Sequence, residues 1–236
     1  MTTSENTDYS NLTIGEIVAK DFRKAEVFKK AGIDFCCGGK KGLRETCEEK
    51  GIDQAILESE LKDTEETPLS FSEDYNQWTL DFLCDYITNT HHKYVLKTLP
   101  DLVAYTKKIA GVHGSHHPEL NEVADLFDKI NIELLQHLKN EEEVLFPAIK
   151  EVLKDNSSEK KKIITSEITR MWGEHDFAGG AMDQINALTH HYIVPADGCN
   201  TYNVTLKLLE QFEDDLHKHV HLENNILYPK ALKLNN

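Results

Sequence analysis

One phrase occurs twice in this chain, His137-Leu-Lys-Asn-Glu141-Glu-Glu-Val-Leu145-Phe146-Pro147 and His219-Val-His-Leu-Glu223-Asn-Asn-Ile-Leu227-Tyr228-Pro229, 82 residues apart at every matched position. Residues i and i+4 of an α-helix lie on one face, so His137/Glu141 and His219/Glu223 can each present an imidazole and a carboxylate to a single point. A further histidine precedes each copy at nearly the same offset: His92 stands 45 residues before His137, and His175 stands 44 before His219. The chain must therefore fold so that His, then His-x3-Glu, can be used twice.

The regions around these residues read as helix. From Asp74 onward the apolar pattern gives four long helices, about 74–109, 116–153, 159–190 and 200–232, separated by polar or Gly/Pro-bearing turns. Strand signals are nearly absent. The expected fold is all-α, a small N-terminal helical module followed by an up-down four-helix bundle, with each bundle helix carrying one piece of the repeated set. The module spans residues 1–62, a linker 63–73 follows with Pro68 in a polar stretch, and the bundle occupies 74–236. Within the module, Thr13-Ile-Gly-Glu16 has capping-box spacing and opens an amphipathic run through Ile17, Val18, Phe22, Ala25, Val27 and Phe28, expected to end as one helix at Gly32. Two short helices, around Leu43 to Lys50 and Ile52 to Leu61, are then separated by Gly51.

A lone His-x3-Glu is weak evidence, since most such pairs are exposed contacts worth about 0.3 kcal/mol. Two copies with shared Leu and aromatic-Pro landmarks are different. A duplication retained only for core packing does not explain polar residues in the matched slots. Four imidazoles and two carboxylates exceed what one tetrahedral zinc uses and suit two metal ions sharing both carboxylates. The nitrogen and oxygen mixture favours iron or manganese, and the lack of cysteine among the ligands argues against a structural zinc or an iron–sulfur cluster.

Neighbouring histidines are sorted by helical register. His91 and His92 are adjacent and cannot both face the core of a regular α-helix, and the stripe with Tyr94 and Val95 selects His92. His217 and His221 lie across the helix from His219 and are expected at the surface, while His113, His116 and His117 read as turn residues. Glu133 and Asp215, one turn before His137 and His219, are candidates to accept the outer ring N–H of each ligand, with Glu174 a weaker one. Cys36-Cys37 occupies a turn flanked by glycines. Adjacent Cα atoms about 3.8 Å apart disfavour an internal disulfide, and thiols near a helix N-terminus become more acidic. Cys47, Cys84 and Cys199 are expected to be structural.

Bulk properties set the outer bounds. A formal charge of −15, with 41 acidic against 26 basic residues, disfavours nucleic acid and anionic membrane as partners. Neither a signal-peptide pattern at the N-terminus nor a bilayer-length apolar run is found, and five cysteines is an odd count for a disulfide framework, so a cytoplasmic location is expected.

The phrases Ile14-Gly-Glu-Ile-Val, Ala31-Gly-Ile-Asp-Phe-Cys-Cys-Gly-Gly, Glu174-His-Asp and His219-x3-Glu223-Asn-Asn-Ile-Leu-Tyr-Pro together resemble the di-iron iron–sulfur cluster repair proteins, the repair-of-iron-centres family, over nearly the whole chain. The resemblance implies a hemerythrin-like bundle holding two non-haem iron ions, carboxylate-bridged: one ion on His92 and His219, the other on His137 and His175, with Glu141 and Glu223 as bridges. It places the family's vicinal cysteines at Cys36 and Cys37, the candidate functional thiols. It also implies repair of clusters damaged by oxidative or nitrosative stress, by iron donation more than by enzymatic turnover, with damaged iron–sulfur proteins as recipients and a homodimer compatible. The rival readings are a di-iron redox enzyme acting on nitric oxide or peroxide, and a hemerythrin-type oxygen carrier or sensor.

Overall fold

The computed structural model describes residues 9, 11–64 and 74–235; the reading of residues 1–8 and most of the expected linker lie outside them. Among the described residues there is no strand, only an isolated antiparallel bridge between Thr13 and Gly42. The chain divides into two compact units. Of the described residues, one comprises those up to Thr79 together with Val220–Lys230, and the other Leu80–His219 with those from Ala231.

In the first unit, α1 (Ile14–Lys20) starts at the expected capping box, with the Thr13 side chain accepting from the Glu16 N–H and the Glu16 carboxylate accepting from the Thr13 N–H. The expected single helix to Gly32 is instead two. Asp21 adopts an extended backbone after α1, and its buried carboxylate receives the Arg23 N–H and both Nε and Nη2 of the Arg23 guanidinium, at 3.1, 2.8 and 2.6 Å. This local bidentate pair ends the first run, and α2 (Lys24–Lys30) begins beyond it. Gly32 then supplies the left-handed turn at φ +65°. A 3₁₀ turn at Gly38–Lys40 follows the cysteines, then α3 (Leu43–Lys50) and α4 (Gln54–Asp63), divided by Gly51 at φ +65° and by the Asp53 cap. The C-terminal segment 220–230 belongs to this unit through Asn225, whose amide donates to the Phe35 carbonyl at 3.2 Å, and through the Lys230 ammonium, which donates to the carbonyls of Asn76 and Trp78.

The second unit is the bundle. Its first helix is α5 (Leu80–Ile87) continuing into α6 (Lys93–His113), and its second is α7 (Glu119–Asn140) continuing into α8 (Phe146–Asp155). The third is α9 (Ser158–Leu188), and the fourth is α10 (Asn200–Leu222), of which the part up to His219 belongs to this unit; α11 (Tyr228–Leu232) follows it in the chain. The first helix starts at Leu80, not at Asp74, because Tyr75–Gln77 forms a separate 3₁₀ turn. Away from the histidines and glutamates the core of the unit is largely apolar, with Leu99, Ile109, Phe127, Ile130, Ile168, Met182 and Phe212 essentially inaccessible and the Phe127 and Phe212 rings edge-on at 5.4 Å. No described helix is long and apolar enough to cross a membrane.

Three of the four bundle helices are not α-helical throughout. π-helical turns occupy Thr88–His92, Glu141–Leu145 and Glu223–Leu227, which are the stretches that carry or adjoin the repeated ligand phrase. A π-turn accommodates one extra residue and shifts every later side chain around the helix, a device common at functional sites.

Candidate metal centre

The six residues singled out by the repeat are all buried. His92, Glu141 and Glu223 are fully inaccessible, and His137, His175 and His219 are at most 2 % exposed. They fall into two overlapping groups, within each of which the ligand atoms lie within 4.8 Å of one another: His92, Glu141, His219 and Glu223 in one, and His137, His175 and Glu223 in the other. Glu141 Oε2 also stands 3.3 Å from both His92 Nε2 and His137 Nε2. His137 Nε2 and His175 Nε2 are 3.1 Å apart. Glu223 therefore belongs to both groups, and one oxygen of Glu141 faces an imidazole of each.

This donor set fits a metal pair. The inward nitrogen of each imidazole is freed to act as a lone-pair donor when the outer N–H is fixed elsewhere, and two of the rings show that arrangement. His92 Nδ1 lies 2.8 Å from Glu142 Oε1, and His137 Nδ1 lies 2.7 Å from Glu174 Oε2. Burial raises the Glu174 carboxyl, but the bond to His137 and the neighbouring Arg170 guanidinium outweigh it and hold the group below the ordinary carboxylate range. Arg170 Nη1 donates to the other Glu174 oxygen at 2.7 Å, which fixes the carboxylate from behind.

Four expectations about the surroundings are corrected. Glu133 is exposed and Glu174 takes its place beside His137. Asp215 bonds His91 Nδ1 at 3.0 Å instead of His219. His91 and His92 both turn inward, 1 % and 0 % exposed, because the π-turn Thr88–His92 relaxes the 100° spacing that a regular helix would impose. The His91 ring stacks on His219 at 5.4 Å, so it buttresses the ligand set. His221 is completely buried in the first unit, against Phe22 and Phe35, with Nδ1 3.0 Å from the Asn225 amide; burial pushes it down to about 3, and it stays neutral.

The thiol turn differs from expectation as well. Asp34 caps it, accepting from the N–H of Cys36 at 2.8 Å and of Gly38 at 2.7 Å, and its Oδ1 lies 3.1 Å from Cys36 Sγ. Cys36 is buried and Cys37 half-buried, with no disulfide between them. The adjacent Cys37 thiol, burial and Asp34 all push the Cys36 thiol up, so it is held as the neutral thiol instead of becoming more acidic. Cys47 and Cys84 are buried. Cys199 is exposed at the start of α10 beside His113 Nε2 at 3.2 Å, and this contact together with the N–H groups of Tyr202 and Thr201 brings its thiol down to about 7.

A helical bundle that converges histidines and glutamates from all four helices defines a metal-binding class. Residues 85–231 match the hemerythrin HHE cation binding domain, and residues 10–65 match ScdA_N, a domain of unknown function. Over 226 residues the chain is 33 % identical to the iron–sulfur cluster repair protein YtfE of Yersinia pestis (strain Pestoides F) and of Yersinia pseudotuberculosis (serotype O:1b, strain IP 31758), covering 96 % of this chain and 99 % of each relative. The chain belongs to this family of iron–sulfur cluster repair proteins, and in it an N-terminal ScdA_N module accompanies a hemerythrin domain.

Proposed function

We propose that the protein repairs damaged iron–sulfur clusters and that its buried centre holds two non-haem iron ions, one on His92 and His219 and one on His137 and His175, with Glu141 and Glu223 shared between them. The observation that carries this reading is the pair of overlapping ligand groups with a carboxylate common to both. The full-length similarity to cluster repair proteins supports the recipient class, damaged iron–sulfur proteins. Bound iron would supply both a redox couple and the cargo for transfer.

The chain's own residues set how firmly that cargo is held. Glu142 and Glu174 orient the His92 and His137 rings, and Arg170 steadies Glu174. Imidazole and carboxylate ligation of ferrous iron is moderate in affinity, and protons compete for the imidazoles, so release is available where a thiolate cage would retain the ion. Metal analysis of the purified protein should give close to two irons per chain, with spectroscopic coupling between the ferric ions. A single tightly held zinc would overturn the di-iron reading, and sustained turnover of nitric oxide or peroxide with an electron donor would move the protein to the redox enzymes.

A further inference from the structure

A second cluster with ligand geometry lies within the bundle unit. Asp183 on α9 and Glu213 and His217 on α10 bring two carboxylate oxygens and one ring nitrogen within 4.8 Å of one another. None of them belongs to the repeated ligand set. Asp183 follows His175 by eight residues, about 12 Å along a helix axis, and Glu213 precedes His219 by six, about 9 Å. Glu213 is 4 % exposed, while Asp183 is exposed and His217 half-buried, so the cluster has a buried floor and an open mouth.

The floor has two further features. Asn186 donates from its amide to Glu213 Oε2 at 3.0 Å and meets His191 Nδ1 through its own oxygen at 2.6 Å. The Tyr192 side chain is 8 % exposed and lies against Glu213, Asn186 and Asp183, yet its buried hydroxyl makes no hydrogen bond of ordinary length and angle to any of them. An unmade bond at a buried hydroxyl costs about 1–3 kcal/mol. Tyr192 is delivered there by three successive non-glycine residues in the left-handed region, His190, His191 and Tyr192 at φ +50°, +60° and +61°.

We infer that Asp183, Glu213 and His217 form a third cation site, separate from the buried pair, for a divalent first-row ion of the Mn²⁺ or Fe²⁺ kind, with the Tyr192 hydroxyl supplying a further oxygen to the ion or to a water on it. Two carboxylates and one imidazole make a set weighted to oxygen, and no thiolate is present to select zinc or copper. The exposed side at Asp183 leaves room for water ligands, so the ion exchanges readily. In the ion's absence burial raises Glu213 and favours its protonated form, and a cation takes over the role of that proton.

The test uses the full chain with its buried centre loaded with iron and excess metal removed, titrated with Mn²⁺ while the free-ion paramagnetic resonance signal is followed. The wild type should take up one Mn²⁺ more per chain than His217→Ala or Asp183→Asn, both accessible positions, and Tyr192→Phe should bind it about tenfold more weakly. Equal uptake by the wild type and both accessible variants would overturn the assignment. Iron content and helical circular dichroism of the same samples report the buried centre and the fold separately, so failure here is distinguishable from failure of the di-iron reading.

Discussion

At the residue scale, the decisive comparison lies among three consecutive glutamates. Glu141 is fully buried between two imidazoles, Glu142 reaches back to His92 Nδ1, and Glu143 is exposed. Glu141→Ala, like Glu223→Ala, should lose bound metal. Glu142→Ala and Glu174→Ala should bind about 10–100-fold more weakly, as expected when the group orienting a ligand ring is removed, and Glu143→Ala should bind normally. Metal retention against a competing chelator measures all five, and equal loss at Glu143 would show that the assigned register is wrong. The exposed Cys199 gives a second prediction, this one in pH. Because its thiol is brought down to about 7, its alkylation rate should rise with a midpoint near 7. In His113→Ala the midpoint should move up toward 9.0, and an unmoved profile would show that His113 does not set it.

At the scale of elements, α1 is closed onto the C-terminal segment of the chain by the absence of side chains. A Cβ on Gly15 would fall well inside contact with the Asn225 side chain and 3.0 Å from the Gly39 carbonyl oxygen, while the Asn225 amide is tied to the Phe35 carbonyl. Gly15→Ala should therefore destabilise the first unit by about 1–3 kcal/mol, although alanine would stabilise an unpacked helix. Denaturant unfolding followed at this unit checks the sign, and a stabilised Gly15→Ala would mean that Asn225 yields at no cost. The π-turns act at the same scale. The turn at Thr88–His92 brings His91 in alongside His92, so that Asp215 can hold the ring that stacks on His219.

For the whole molecule, the proposed iron ligands come from all four bundle helices, and the thiols of Cys36 and Cys37 stand in a separate group with Asp34. Cys36→Ser with Cys37→Ser should leave iron content nearly intact while transfer to an apo-cluster protein falls, measured as iron stoichiometry and cluster reconstitution on the same sample. Iron lost together with transfer would place the thiols in the metal site, and no change in either would return them to turn residues. Point substitutions are the cleaner test than deletion before Asp74. Residues 220–230 are part of the same compact unit as the cysteine turn, and deletion would strip packing from the segment that bears Glu223.

The all-α class, the capping box at Thr13, the helix break at Gly51 and the six residues of the repeat that prove buried are legible in the chain, because helical period, cap chemistry and i,i+4 spacing are local and survive translation into sequence spacing. What those residues meet depends on packing between segments distant in the chain. Asp21 ends α1 through a pair with Arg23 that no periodicity reports. Register on an ideal helix put His221 at the surface and His91 out of the core, and packing in the first unit and a π-turn reversed both. Glu213-x3-His217 carries the same i,i+4 spacing as the ligand pairs and was legible in principle, but Asp183 and Tyr192 join it from 30 and 21 residues upstream of Glu213, a proximity that only the packed bundle creates.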